Sequence, residues 1–373
     1  MNIIHTHTNQ KIHDYLLNFT GKVQKWMRRT SVDELCAVNS LLIYGGVFES
    51  SHKHTESLYK MDGTGRLVFP VVMAKNRFRF LLSVIRSDDK VTRKEHRLKD
   101  KMAAFQEIWD IFIGLCKSLY LVGSALCIDD QLLPFRGRCV FQQYMPKKPS
   151  KYRIKIWMMC DGATKYTMNV KVYLGKENNE VARGLASDVV CTLVQPFSGQ
   201  DRGGRNVTTD NFFSSVDLAN QLKNKKLTLV GTMKQNKRKI PQVFKPARQR
   251  DENSSIFGFT KDLTFVSYVP KKNISVVLLS SLHHDSAIYR DSGKPEIIEY
   301  CKKTKGAADM LNQMCTRYTV QRATHRRTMA MFYGMINIAA VNALVIYVHN
   351  MCKDQPQEKI KRKEFCSELH MIW

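Results

Sequence analysis

Between Ser124 and Met233 the chain changes texture in an order that sets its fold. "ALCIDDQLL" is a short apolar run of strand length. "KYRIKIWMMCD" alternates at Tyr152, Ile154 and Ile156, then runs apolar into Asp161-Gly162, a hairpin turn signal. "TKYTMNVKVYLG" returns as a third strand. "EVARGLASDVVCTLVQPF" has the apolar stripe of an amphipathic helix, and "GRNVTTD" is a short strand ending on Asp210. "NFFSSVDLANQLKNK" is a second helix, and "KLTLVGTM" a fifth strand. Three strands, helix, strand, helix, strand is the order of a ribonuclease-H-like core, an α/β domain with a mixed sheet and helices on its faces.

The flanks read differently. Before the core, "SVDELCAVNSLLIYGGVF" opens with Ser31 and Glu34 at capping-box spacing, and Gly45-Gly46 weakens or ends that helix. "MAKNRFRFLLSVIRSDD" sets Phe78, Leu81, Leu82 and Ile85 on one helical face. "AFQEIWDIFIGLCKSLYLV" does the same with Phe105, Ile108, Trp109, Phe112 and Leu115. The charged residues between 86 and 101 read as a solvated connection. The boundaries expected are a helical part at 1–123, a core at 124–234, an inserted subdomain at 235–297, a return to the core at 298–318, and a second helical part with a basic tail at 319–373. "MAMFYGMINIAAVNALVIYV", Met329 to Val348, is long enough to cross a bilayer. Gly334, Asn337 and Asn342 interrupt it, so it reads as a buried core helix, and no membrane partner is expected.

The sequence of 373 residues carries 59 Lys and Arg against 33 Asp and Glu. Such an excess points to a polyanionic partner, most simply nucleic acid. The 10 cysteines stand singly, with no C-x-x-C pair and no Cys/His cluster at zinc-ligand spacing, so no zinc is expected. Scattered thiols suit a reducing compartment.

Within this basic chain three aspartates stand at telling places. Asp129 ends the first strand, Asp210 ends the fourth, and Asp309 lies in a helix beyond the insertion. In a ribonuclease-H-like sheet the first and fourth strands are neighbours, so their ends converge, and a helix over that edge brings a third carboxylate. Hard oxygen donors so clustered suit Mg²⁺ or Mn²⁺. Strand order alone leaves ordinary loop and cap acids as the competing reading.

The words around these acids resemble the piggyBac transposase family: "IDDQLLPFRGRC", "YMPKKPSKYRIKIWMMCDGATKY", "TTDNFFSSVDLANQL", "LTLVGTMKQNKRKIP", "KKTKGAADMLNQMC" and "MAMFYGMINIAAVNA". The resemblance runs from about Ser31 to Cys352. It implies a cut-and-paste DNA transposase with catalytic, metal-binding aspartates at Asp129, Asp210 and Asp309. It further implies Mg²⁺ or Mn²⁺ as cofactor, hairpin-forming strand transfer, TTAA targets, and a split helical dimerisation and DNA-binding domain. A homodimer acting on DNA in the nucleus is the expected setting. Where many relatives carry a further acid one turn after the third aspartate, this chain has Asn312. Asp130, often Glu in relatives, reads as local support. Full-length relatives extend into a Cys-rich zinc-binding domain, which this sequence, ending at Trp373, lacks. The competing function is therefore a transposase-derived, sequence-specific DNA-binding protein without transposition activity.

Positive charge concentrates around the core: residues 131–250 hold 23 Lys and Arg against 7 Asp and Glu. Arg136, Arg138, Lys147, Lys148, Lys151, Lys234, Lys237 and Arg238 are the expected DNA contacts, which would make binding salt-sensitive. Trp157 and the Phe212-Phe213 pair read as core packing. "KIKRK" at 359–363 reads equally as an import patch and as ordinary charged surface.

Overall fold

The computed structural model describes residues 1–175, 184–197, 204–237, 240–246, 249–354 and 360–369. The chain divides into two compact units, one of residues 1–114, 133–154 and 313–373, the other of residues 115–132 and 155–312.

The second unit is built on a sheet whose strands are β1 (Ala125–Pro134), β3 (Tyr152–Asp161), β4 (Thr167–Val172), β5 (Asn206–Thr209), β6 (Thr228–Met233), β7 (Ser255–Phe259), β8 (Thr264–Lys271) and β9 (Ile274–Ser280). A three-residue strand, β2 (Gln142–Tyr144), pairs with the start of β3. The order is β3-β1-β5-β6-β9-β8-β7, with β4 also paired to β3. β1, β5 and β6 run parallel, while β4 and β9 are antiparallel to their neighbours. This is the ribonuclease-H-like arrangement expected. Residues 235–297 supply β7 to β9, which continue the same sheet beyond β6.

Local chemistry explains the strand ends. The Asp161-Gly162 signal is a turn held by one buried carboxylate. Asp161 Oδ1 accepts the N–H groups of Ala163 and Thr164 at 2.8 Å each, and Oδ2 accepts that of Gly123 at 2.6 Å. The helix Leu185–Leu193 leads from β4 to β5, and Val216–Asn224 returns the chain between the parallel strands β5 and β6. The second starts where Ser215 accepts the Leu218 N–H at 3.0 Å, an N-cap bond. The core of this unit is aliphatic: Leu126, Ile128, Ile156, Val207, Leu229 and Leu279 are fully buried, and Trp157 joins them as expected.

The first unit is helical. Ser31 caps the helix Val32–Val47 by accepting the Glu34 N–H at 3.1 Å. Glu34 does not complete the reciprocal half of the capping box. Its carboxylate is held by buried Arg77 on the helix Lys75–Val84, at 2.8 and 2.5 Å. Gly45 and Gly46 stay inside that first helix, which runs to Val47. Gly46 is needed because a Cβ there would lie 2.6 Å from the Tyr318 carbonyl oxygen. On the helix Gln106–Leu119, Ile108 and Trp109 are buried as expected, but Leu115 is half exposed; Ile113 and Cys116 take the buried positions instead.

The apolar stretch lies on the helix Arg327–Asp354, which is long and apolar enough to cross a membrane, and 72% of its apolar window is buried inside the protein. Its interrupting polar residues have internal partners. Asn337 accepts the Val320 N–H at 3.0 Å and donates to Thr319 Oγ1 at 2.9 Å.

Candidate active site

Parallel pairing of β1 with β5 fixes the first two carboxylates. The register matches Cys127 with Thr208 and Ile128 with Thr209. One step further, Asp129 stands beside Asp210, on neighbouring strands about 4.8 Å apart; it lies within β1, which runs on to Pro134, and not at the strand end expected. Beyond Asp210 the chain turns at once: its Oδ1 accepts the Phe212 N–H at 2.8 Å, and its carbonyl accepts from Ser214 Oγ at 2.8 Å.

The third acid comes from the helix Glu296–Arg317. The first turns of this helix bury Ile297, Ile298 and Cys301 against Val230, Val266 and Leu278. Thr304 then meets Thr208 of β5, hydroxyl to hydroxyl, at 2.8 Å, and the Lys305 carbonyl accepts from Cys127 of β1 at 3.2 Å. Farther along, Asn312 Nδ2 donates to the Asp130 carbonyl at 2.9 Å. Asp309 follows Lys305 by four residues and precedes Asn312 by three, so it shares the helix face between these two contacts. It is exposed on that face, between the helix's contacts to Cys127 and Asp130 of β1.

The electrostatics agree with this placement. Burial, with the negative charges of Asp210, Asp130 and Asp309 acting in the same direction, raises the Asp129 carboxyl to about 6. A bond of 2.8 Å from the Asp130 N–H to Asp129 Oδ1 works against that rise. Asp130 points to a different partner: its Oδ2 lies 2.7 Å from Lys155 Nζ. Among the described residues, no group of three His, Cys, Asp or Glu side chains closes into a metal-holding cluster. The donor set nonetheless fits a hard divalent cation, because it consists of carboxylate oxygens near enough to Asp129 to raise its proton affinity.

Two lysines frame the site. Lys155 Nζ lies 5.0 Å from the Phe212 ring centroid, and Lys234 Nζ lies 5.8 Å from the same ring. Lys237 turns inward and donates to the Ser214 carbonyl; burial, and then Lys234, pull its ammonium below the usual lysine range. Lys237 therefore braces the turn after Asp210. Lys234 and Lys237 belong to the unit that carries the acids, whereas Arg136, Arg138, Lys147, Lys148 and Lys151 belong to the helical unit. Arg238 lies outside the described residues. In the "KIKRK" run, Arg362 is engaged within its own unit, donating to the Met314 carbonyl with its guanidinium 5.2 Å from the Tyr318 ring centroid.

The Phe212-Phe213 pair divides, which corrects the reading of both as core. Phe213 is fully buried, but Phe212 is 36% exposed, between the two lysines. Lys155 was not among the sequence candidates. Its signal was a charged residue in the alternating run "RIKIW", on a strand bordering the one that carries Asp129.

Comparison with known proteins places this geometry. A DDE-type transposase family, described as "Transposase IS4", matches residues 2–344. A piggyBac transposase, solved as a synaptic complex with hairpin DNA, is 41% identical, with a TM-score of 0.93. That match covers 100% of this chain and 76% of the other. With its ribonuclease-H-like core, the chain belongs to the piggyBac transposase family.

Proposed function

We propose that the protein is a metal-dependent DNA transposase that cleaves and rejoins phosphodiesters at Asp129, Asp210 and Asp309, with TTAA as target. The observation that carries this reading is the approach of three elements that bear the acids. The β1–β5 register sets Asp129 beside Asp210, and contacts on either side of Asp309 hold its helix across β1. Membership of the family implies a divalent cofactor, and the oxygen donors favour Mg²⁺ or Mn²⁺. Asp129, Asp210 and Asp309 would hold the cation, with Asn312 as a neutral accessory. When bound, such ions activate an attacking oxygen and stabilise a leaving one at a phosphodiester.

The chain's own residues orient the substrate. Lys155, fixed by Asp130, keeps one positive charge beside the carboxylates, and Lys234 supplies another across the Phe212 ring. Both suit phosphate oxygens. The relative solved with hairpin DNA supports DNA as the substrate here. A homodimer acting in the nucleus completes the proposal and rests on the family resemblance. A second reading, a transposase-derived DNA-binding protein without strand transfer, is favoured by Asn312 standing where relatives carry an acid.

The test is strand cleavage of DNA carrying candidate ends, with Mg²⁺ or Mn²⁺, by the wild type and by Asp210→Asn. Cleavage by the wild type and none by the variant is expected. Equal inertness of both, with DNA binding retained, would establish the second reading.

A further inference from the structure

The helical unit contains a second concave site, of whose arginines only Arg138 was expected from the sequence as a DNA contact. Arg86, Arg93, Arg97, Arg138, Arg326 and Arg327 line it, around a cavity volume of about 260 Å³. These side chains come from four separate stretches of chain. Arg86 follows the helix Lys75–Val84, and Arg93 and Arg97 are one turn apart on the helix Arg93–Lys99. Arg138 sits in the loop after β1, and Arg326 and Arg327 open the long helix Arg327–Asp354.

Two of these arginines are built into the fold. Arg326 donates to the carbonyls of Leu82 and Ser83 at 2.9 Å each, and also to that of Ile85. Arg86 donates to Ser83 and Ile85 at 3.0 and 2.8 Å. Both thereby complete the exposed carbonyl end of the helix Lys75–Val84. Carbonyls satisfy their hydrogens without neutralising their charge. Asp88 grips Arg93 through two bonds of 2.6 Å, and Asp88 and Asp89 line an adjoining hollow with Asp14. Among the described residues, Arg86, Arg97, Arg138, Arg326 and Arg327 form no ion pair. Burial, then repulsion from Arg86, pulls Arg326 down to about 10. Burial, then Arg97, lowers Arg327 as well.

Positive charge held in a hollow, half-buried and mutually repelling, is unfavourable until an anion shares it. Guanidinium forks match phosphate oxygens two at a time, and several forks around one hollow suit a multiply charged phosphate better than a carboxylate. We propose that this arginine hollow is a phosphate-binding site, independent of divalent ions and of the carboxylate cluster. The phosphate group comes either from a DNA backbone or from a compact free polyphosphate.

The test uses the full chain in EDTA, with sodium tripolyphosphate and a short DNA duplex as separate probes. The variant is Arg97→Gln/Arg327→Gln, which spares the two arginines that close the helix end. Calorimetry should show tripolyphosphate binding to the wild type and at least about tenfold weaker binding to the variant. If the DNA backbone is the source, tripolyphosphate displaces the duplex. The variant's affinity for DNA then depends less on salt, its log–log slope falling by about two, one for each lost phosphate contact. If a free polyphosphate is the source, the duplex neither competes nor responds to the substitutions. DNA binding weakened in the variant without tripolyphosphate binding also assigns the hollow to the backbone. Equal binding of both probes by wild type and variant overturns the proposal. A measurement on the wild type alone guards against misfolding of the variant. Phenylglyoxal modification of Arg97 and Arg138, read by mass spectrometry, should slow when a phosphate probe is bound. Unchanged rates with both probes overturn the proposal equally.

Discussion

At Asp129, a proton and a cation compete for one carboxylate. Its acidity is weakened to about 6, above the ordinary aspartate value of 3.8, by burial and by three neighbouring acids. Folding therefore favours the protonated form relative to the unfolded chain. Its stabilising contribution is complete below the unfolded value and is lost as pH rises through about 6. In EDTA, thermal stability should fall between about pH 4 and pH 6 relative to Asp129→Asn, and Mg²⁺ should restore it at higher pH. By the same competition, divalent-ion binding should weaken about tenfold per unit as pH falls below about 6. Titration calorimetry at several pH values checks this, and a flat profile counts against it. Phe212 and Phe213 show the same dependence on place. Phe213→Ala should cost about 3–5 kcal/mol in a denaturant melt, and Phe212→Ala under about 1. The doublet alone does not distinguish its two rings. The turn held by Asp210 decides which one enters the core and which lies between Lys155 and Lys234.

At the scale of elements, the site depends on how closely β5, β6 and the turn after Asp210 approach. A Cβ at Gly231 on β6 would lie 2.1 Å from Ser214 Oγ and 2.7 Å from Thr209 Oγ1. Those two hydroxyls bond each other at 2.7 Å and support the Asp210 turn. Gly231→Ala should therefore destabilise the protein by about 1–3 kcal/mol, read in urea melts, and reduce DNA cleavage beyond what lost stability explains. Much of this architecture was legible in the sequence. Alternation in "KYRIKIW" and the Asp161-Gly162 turn gave β3 and its reversal, and the Ser31 cap gave the start of a helix. What hydrophobic pattern does not carry is which strands pair. The strands of 235–297 read as an insertion because nothing in their composition says that β9 bonds to β6. Leu115 has a helix-face spacing and is still exposed, because periodicity identifies a face but not its neighbour.

Across the molecule, charge and topology divide the work between two units. One brings carboxylates together over β1 and β5, inside the sheet, where Asp129, Asp210 and Asp309 come from positions far apart in sequence. The other gathers arginines from four stretches into one hollow. The acids were found because each lies within recognisable words, although only Asp210 stands at an element end. Of the arginines only Arg138, in a basic run, was found, since 86–101 reads as solvated connection. The central claim is that three acids from three elements form one divalent-ion site. Manganese titration followed by electron paramagnetic resonance, on the wild type and on Asp309→Asn, tests it most directly. Asp309 is exposed, so its substitution leaves the core intact. The account predicts saturable Mn²⁺ binding by the wild type and roughly 10–100-fold weaker binding by the variant. Equal Mn²⁺ affinity in the two proteins, or no binding by either, would contradict it.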